Sequence, residues 1–511
     1  MTTTSPTPRI VEPAGQQQSP LCRLPRELRD EIYDYYAYDE EGLAYDYSSK
    51  TLKYASGAEL SLPLTCKMVA NEMKGTHLRV NTVTFIPCCS NTDEDRLCER
   101  RSLAGRFEHL LRSARLTKLN MLNYAAECVT KDVIEKVIEV YPAVRDAFQS
   151  FFHANRPGFD LSHIEWTAHI PRDLFTTSFC DAVQYALDLT SPHPKFQELI
   201  SKACEMPRDY TYGDPLFIPG SHQQVLEWRP ALWLIPSHDD LFPMEELLTD
   251  AQCPTTECEK RHRRINFYFS AAAVCIARLS KLTPSIRKEL RSIILQEDCK
   301  SVGNPEVHAE GLIKYCTENG KLRFQMQASF STLLAPAFWS LPGRLLNDPD
   351  TETRIHVYAY IRILLDWVMR TTALAKLGMP KRSFTVVLDA RSEQATYIWQ
   401  YFSNAASTRL HCPKELISSS GSQEAGLFLM YAFIWQLPVE LWSIVVDIIN
   451  DESMIRLKIP DSERFKQWTY VQPYDTWTFG DWFRAYTPTQ DEVMFPGDAE
   501  AYRRKYFEER S

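Results

Sequence analysis

The chain has 511 residues, 44% of them hydrophobic, and its 25 Phe, 24 Tyr and 11 Trp exclude a wholly disordered protein. Its 57 basic and 66 acidic residues give a net charge of −9, which argues against a dedicated nucleic-acid-binding protein. The first residues, 1–18, are rich in Thr, Ser, Pro and Gln without an apolar block. We therefore expect a disordered start without a secretory signal, reduced cysteines and a cytoplasmic or nuclear location.

The first predicted elements form a small N-terminal module over residues 19–90. Periodicity predicts a helix over Leu24–Tyr36, with Pro25 at its first position, where a missing N–H costs nothing. A hairpin is predicted around residues 48–50, and a second helix over Leu64–Met73. The alternation of Val80–Ile86 predicts a strand that ends at a proline.

The rest of the chain reads as helical. We expect a helical region over residues 91–206, an irregular connection rich in Pro and aromatic residues over 207–264, and a helical body over 265–417. Only Ser383–Asp389 in that body predicts a strand. C-terminal helices and an aromatic tail are expected over 423–511. The apolar stretch Leu427–Ile449 contains polar residues and a proline, so we expect buried helices there and no membrane span.

The most informative segment is Leu24–Tyr33, with the sequence Leu-Pro-Arg-Glu-Leu-Arg-Asp-Glu-Ile-Tyr. Leu28, Ile32 and Tyr36 recur every four residues and share one face of the predicted helix. Such a short amphipathic helix needs a cover for its apolar edge. Either the core of this chain or a partner protein supplies that cover.

This segment resembles the opening helix of the F-box, the module that docks onto the Skp-type adaptor of cullin-RING ubiquitin ligases. It looks more closely like a set of ascomycete fungal F-box-like proteins. In that set a second helix ends in Asn-Glu, as Leu62–Glu72 does here, and a strand like Asn81–Phe85 follows. The sequence predicts a hairpin and a strand in place of the third helix of a full F-box.

Because helical periodicity outnumbers strand runs, we expect a mainly α protein, with an F-box-like helical module followed by a helical body with a few short strands. The resemblance implies that the module docks onto a partner. It also implies that Leu24, Pro25, Leu28 and Ile32 bind a Skp-type adaptor, and that the chain recruits an unknown protein target to a ubiquitin ligase. We expect no enzymatic activity, cofactor, nucleic acid or membrane partner. The alternatives are a structural scaffold whose motif is internalised and a hydrolase with an unrecognised site.

A second Leu-Pro-x-Glu-Leu sequence occurs at Leu437–Leu441, and Val445 takes the position of Ile32. Its helix is apolar on almost every side, which is typical of core. The alternative is that this helix is the working docking element, with the aromatic tail beside it.

Other groups of residues predict little chemistry. Cys253, Cys258 and His262 provide three of the four ligands that zinc needs, so we expect no metal site. The basic run Lys260–Arg264 reads as a solvated helix start, with a nuclear-import signal or an acidic partner as alternatives. Asp389, at a strand end, is expected to cap the next helix rather than to catalyse a reaction.

Overall fold

A computed structural model gives the structure of the chain, and it describes residues 19–89, 102–145, 148–149, 177–205, 221–248, 266–299, 301–330, 333, 354–411, 437–460 and 492–494. Its strands are β1 Leu43–Asp46, β2 Thr51–Tyr54, β3 Thr82–Phe85, β4 Cys88–Cys89, β5 Tyr268–Phe269, β6 Ser292–Glu297, β7 Arg323–Ser329, β8 Arg354–His356, β9 Phe384–Asp389, β10 Ile455–Lys458 and β11 Glu492–Met494.

The helices of the first half are α1 Pro20–Arg23, α2 Arg26–Ala37, α3 Lys67–Glu72, α4 Thr76–Val80, α5 Leu103–Tyr124, α6 Lys131–Val140, α7 Thr177–Thr190, α8 Phe196–Glu205, α9 His222–Glu227 and α10 His238–Leu248. The second half contributes α11 Ala271–Lys281, α12 Pro284–Arg287, α13 Ile313–Glu318, α14 Val357–Ala373, α15 Glu393–His411 and α16 Leu441–Ile449. Short 3-10 turns include Leu62–Leu64 and Pro305–Leu312.

The central element is a seven-stranded sheet in the order β10-β9-β7-β6-β3-β1-β2. All neighbouring pairs are parallel except β1 and β2, which form the hairpin at one edge. The parallel strands therefore lie side by side in the order in which the chain forms them. Because crossovers between parallel strands are right-handed, a sheet that grows in one direction carries its connecting segments on one face.

The face of the sheet that points inward is apolar and buried. Met326 lies between Leu295 and Val386 in the register, and Ile455 continues the same row on β10. At the other end of this row the Tyr45 ring lies 5.1 Å from the Phe85 ring, centroid to centroid. These side chains belong to one continuous core that also includes the main helices.

The outward face of the sheet is mostly polar, and most of its residues keep some contact with solvent. Its residues, which are half-buried or exposed, include Thr84, Ile294, Gln296, Gln325, Gln327 and Thr385. Parallel sheets usually have both faces buried, and the sequences of their strands are then continuous apolar runs. Here β6 and β7 alternate between buried and more exposed positions, so among the described residues the hydrophobic core packs on one face of this sheet.

The prediction of a mainly α fold was wrong, because the chain forms an α/β fold around this sheet. Within the predicted helical body 265–417, residues 284–297 instead contain a short helix, α12, followed by the strand β6. β7 and β10 were not predicted at all. The strands are four to seven residues long, too short for their alternation to be separated from the helical pattern around them.

Several individual elements agree with their predictions. The hairpin β1–β2, the strand β9 and the helix α2 form where the sequence indicated. The connection predicted as irregular instead contains α9 and α10. Residues 19–90 supply β1 to β3 to the same sheet as β6, so the sheet joins the N-terminal segment to the body.

Within the part of the chain that the structure describes, no helix combines the length and apolar character needed to cross a membrane. Several expectations concern residues outside the described ranges. These are the disordered start 1–18, the basic run 260–264, the three zinc-ligand candidates 253, 258 and 262, and the aromatic residues between 468 and 486.

The one-sided cover of the sheet predicts opposite results for two adjacent positions on β7. Met326 is buried in the core, so Met326→Ala should lower the free energy of unfolding by about 2–5 kcal/mol. Gln327 points to the outward face, and Gln327→Ala should change the free energy of unfolding by less than about 0.5 kcal/mol. Urea denaturation of both variants measures this, and equal losses would contradict the assigned faces.

Candidate docking surface

The helix α2 packs on α3 and α4 through a small core of its own. Tyr33 and Ala37 are fully buried and meet Val69 and Met73. Tyr33 follows Ile32 and Ala37 follows Tyr36, and one residue is a rotation of about 100° around a helix axis. The buried stripe of α2 is therefore beside the predicted apolar stripe and does not include it.

An ionised carboxylate fixes this orientation. Glu72, the last residue of α3, accepts hydrogen bonds from Arg29 at 2.6 and 2.9 Å and from the Tyr33 hydroxyl at 2.9 Å. Arg26 adds an ion pair at 2.8 Å. The hydrogen bond from Arg29 is the main reason that the pKa of Glu72 falls to about 2. Burial, with a smaller contribution from Glu72, raises the pKa of Tyr33 to about 12.

The C-terminal half of α2 is tied to the 3-10 turn Leu62–Leu64. The Tyr36 hydroxyl accepts hydrogen bonds from the backbone N–H groups of Ser61 and Leu62, each at 3.2 Å. A contact with the Ser61 hydroxyl is the first cause of a lowered Tyr36 pKa. These bonds place the turn, with its exposed Leu64, next to α2.

Two of the predicted site residues, Leu28 and Ile32, form an exposed apolar stripe on α2 together with Tyr35. Leu28 keeps 45% of its surface in solvent, Ile32 keeps 40% and Tyr35 keeps 87%. Pro25 is exposed and Leu24 is half-buried. Single exposed apolar side chains are common in monomeric proteins, but several on one short helix define a continuous surface.

Sequence reasoning identified the apolar stripe but left its exposure open, and it missed the residues that hold the stripe in place. Tyr35 extends the surface, and Glu72 positions it. The repeat of Arg29, Tyr33 and Ala37, four residues apart, was the available signal for the inner face. This repeat can be recognised as the inner face only together with its partner Glu72, which is 43 residues from Arg29 in the sequence.

The second Leu-Pro motif gives an internal comparison. Leu441 and Val445, at the positions of Leu28 and Ile32, are 0% exposed, and Leu437 is 1% exposed. They belong to the main core, and α16 packs against α15 and β10. The sequence prediction that this helix is core is confirmed. The same five-residue pattern is thus internal in one place and at the surface in the other.

A buried polar group lies at the start of α11. The Ser270 hydroxyl accepts from Ala273 N–H at 2.9 Å and contacts His308 Nδ1 at 2.6 Å. The other ring nitrogen of His308 lies 2.8 Å from the Gly303 carbonyl oxygen, so the proton of neutral His308 is on Nε2 and Ser270 donates to Nδ1. Burial is the main reason that the pKa of His308 falls to about 4.

Glu297 completes this group at the end of β6. Its carboxylate accepts the N–H groups of Ala271 and Ala272, at 3.1 and 3.0 Å. Burial nevertheless raises its pKa to about 7. Since Ser270, Glu297 and His308 are at most 3% exposed and satisfy one another or the backbone, they join α11 to β6 and to the turn Pro305–Leu312.

The remaining chemical candidates are accounted for by local contacts. Asp389 pairs with Arg391, which lowers the pKa of the carboxyl group, while Ser392 accepts the Ala395 N–H at the start of α15. The helix cap expected from Asp389 is therefore provided by Ser392. No cluster of His, Cys, Asp and Glu suited to a metal ion occurs among the described residues.

Comparison of the chain with protein-family models, with curated proteins and with solved structures found no match.

The role of Glu72 can be tested by Glu72→Gln. The loss of its charge-assisted hydrogen bonds should lower the free energy of unfolding at pH 7 by about 1–3 kcal/mol. Because folding lowers the pKa of Glu72, this stabilisation should disappear as the pH falls from the unfolded pKa towards about 2. Urea denaturation at several pH values measures it. The exposed Glu31→Gln is the matched control, and equal effects of both variants would contradict the role.

Glu297→Gln should show the opposite pH dependence. Its folded pKa is raised, so its ionisation opposes folding increasingly between the unfolded pKa and about pH 7. Glu297→Gln removes this ionisation. The free energy of unfolding of the variant minus that of wild type should therefore be about 2 kcal/mol higher at pH 8 than at pH 5. Urea denaturation at the two pH values measures this difference. A difference that does not change with pH would contradict the raised pKa.

Proposed function

We propose that α2 docks this protein onto a Skp-type adaptor, and that the chain acts as a substrate-recruiting subunit of a cullin-RING ubiquitin ligase. The observation that carries the proposal is the exposure of Leu28 and Ile32 on one face of this helix. The resemblance of residues 20–90 to fungal F-box-like proteins names the partner. The cytoplasm or the nucleus is then the place of action.

The contrast between the two Leu-Pro motifs supports docking over an internal scaffold. Where the motif is part of the core, its apolar residues Leu441 and Val445 are fully buried. Leu28 and Ile32 are held away from the core by Tyr33, Ala37 and the contacts of Glu72. Exposure of a leucine and an isoleucine has a free-energy cost in the isolated protein, and a partner would remove that cost.

The chemistry of the stripe fits a protein partner. Leu28 and Ile32 provide aliphatic surface, while Tyr35 provides an aromatic ring with a polar end. Arg26 and Asp30 pair with each other at the border of the stripe. An apolar centre with a polar rim is the usual composition of a protein interface.

Direct binding to a purified fungal Skp-type adaptor tests the proposal. Wild-type protein should bind at micromolar concentrations. Leu28→Ala should weaken binding about tenfold or more, because burial of a leucine contributes about 1.5–3 kcal/mol. Leu28→Glu should abolish binding while the melting temperature stays close to that of wild type.

Leu441→Glu is the matched control, because it makes the same change at the buried copy of the motif. We expect misfolding or aggregation there, since a charge without a partner enters the core. If Leu28→Glu also unfolds the protein, the stripe is core and the scaffold alternative holds. If folded wild-type protein does not bind the adaptor, the ligase proposal is wrong.

A further inference from the structure

The sheet brings together six cations that are far apart in the sequence. They lie in the segments that lead into β6, β7 and β9, at the amino-terminal edge of the sheet. Five are exposed and Arg291 is half-buried. The cationic edge, as we name this set, consists of Lys288, Arg291, Lys321, Arg323, Lys381 and Arg382.

Backbone contacts hold the first two of these segments side by side. The Asn319 side-chain amide, which is buried, donates to the carbonyl oxygens of Arg287 and Leu290 at 3.0 and 2.9 Å. Its own carbonyl oxygen accepts the N–H of Lys321 at 3.1 Å. Arg323 N–H donates to the carbonyl oxygen of Arg291 at 2.8 Å.

The third segment is joined to the second in the same way. Phe324 N–H donates to the carbonyl oxygen of Ser383 at 2.7 Å. The Ser383 hydroxyl and N–H both reach the carbonyl oxygen of Pro380, which closes the turn that carries Lys381 and Arg382. The cationic edge is therefore built on a fixed backbone.

The charges of the cationic edge are not neutralised within the described residues. Arg291 and Arg323 donate only to nearby carbonyl oxygens. Two nearby carboxylates have other partners: Glu318 pairs with Arg287, and Glu289 lies 3.9 Å from Arg79. The segment before β10, which lies beside that of β9, adds Asp451 and Glu452, and Asp451 pairs with Arg456. A protein with a net charge of −9 thus carries a local surface of the opposite sign.

The cationic edge continues onto the outward face of the sheet. Arg323, Gln325 and Gln327 occupy alternate positions of β7 and so point to the same side. The amide groups of these two glutamines bond to no described residue, and each can both donate and accept. Their separation of about 6.6 Å matches the repeat of alternate residues in an extended peptide.

We propose that the cationic edge and the adjoining glutamines of β7 bind an acidic, extended segment of a partner protein. Carboxylates of that segment pair with the six cations, and its backbone pairs with the amides of Gln325 and Gln327. Single-stranded nucleic acid is less suited, because aromatic stacking platforms do not occur among the named residues. The polar amides do not suit insertion into a lipid surface.

The cationic edge includes no residue of α2, so the proposal does not depend on adaptor docking. The probe is a short fluorescein-labelled peptide of alternating glutamate and serine, with a glutamine and serine peptide as its uncharged counterpart. Fluorescence anisotropy at low salt should show binding of the acidic peptide only. Added salt should weaken it, because exposed charges are screened.

The triple variant Lys321→Glu, Arg323→Glu and Lys381→Glu should bind the acidic peptide at least about tenfold more weakly. The matched control reverses three exposed lysines on α6 and α8, Lys131→Glu, Lys136→Glu and Lys202→Glu, and should bind like wild type. Leu28→Glu should also bind like wild type, which separates this result from the adaptor experiment.

The glutamines are tested by the isosteric pair Gln325→Glu and Gln327→Glu, which should weaken binding several-fold without affecting folding. Gln223→Glu with Gln224→Glu, on the exposed side of α9, is its control. The proposal fails if the triple variant binds like its control, or if wild-type protein does not bind the acidic peptide. It also fails if single-stranded DNA or phosphatidylserine vesicles bind more tightly than the peptide through the same cations.

Discussion

The strand order of the parallel sheet is the constraint on which the other features of the structure depend. Each new parallel strand is added beside the preceding one, from β1 to β10. Right-handed crossovers then place the connecting segments on one side. Most apolar side chains of the strands face that side, and polar side chains such as Gln325 and Gln327 face the other. The same order brings the segments before β6, β7 and β9 to one edge.

The N-terminal helix α2 lies beside this framework and is held to α3 and α4 mainly by Tyr33, Ala37 and Glu72. Asn81, which is buried, ties the end of α2 to the start of β3, since its amide donates to the Ala37 carbonyl oxygen at 2.6 Å and its oxygen accepts Asp39 N–H at 2.7 Å. The position of the apolar stripe is therefore linked directly to the sheet. This attachment leaves Leu28 and Ile32 facing solvent as part of a defined arrangement.

The sequence predicted elements better than it predicted how they combine. The hairpin, β9 and α2 have strong local signals, and α16 was correctly expected to be core. β7 was missed because its outward residues are glutamines, which are ordinary in helices. The fold class then failed, since the parallel sheet depends on pairings between strands as distant as β3 and β6.

The candidate surfaces were predictable to different degrees. Leu24, Pro25, Leu28 and Ile32 follow from periodicity and resemblance, but periodicity gives a helix face without saying what covers it. Only the packing of Tyr33 and the contacts of Glu72 decide that. The cationic edge has no sequence signature at all, because Lys288, Lys321 and Lys381 come together through the sheet.

The central claim is that the exposed stripe of α2 is where a protein partner binds. Hydrogen–deuterium exchange of the full chain, with and without a saturating Skp-type adaptor, tests it most directly. The account predicts slower amide exchange over residues 24–36 and in the turn at 61–65, with no change in the buried copy of the motif at 437–449. Unchanged exchange over 24–36, with or without protection elsewhere, would contradict it.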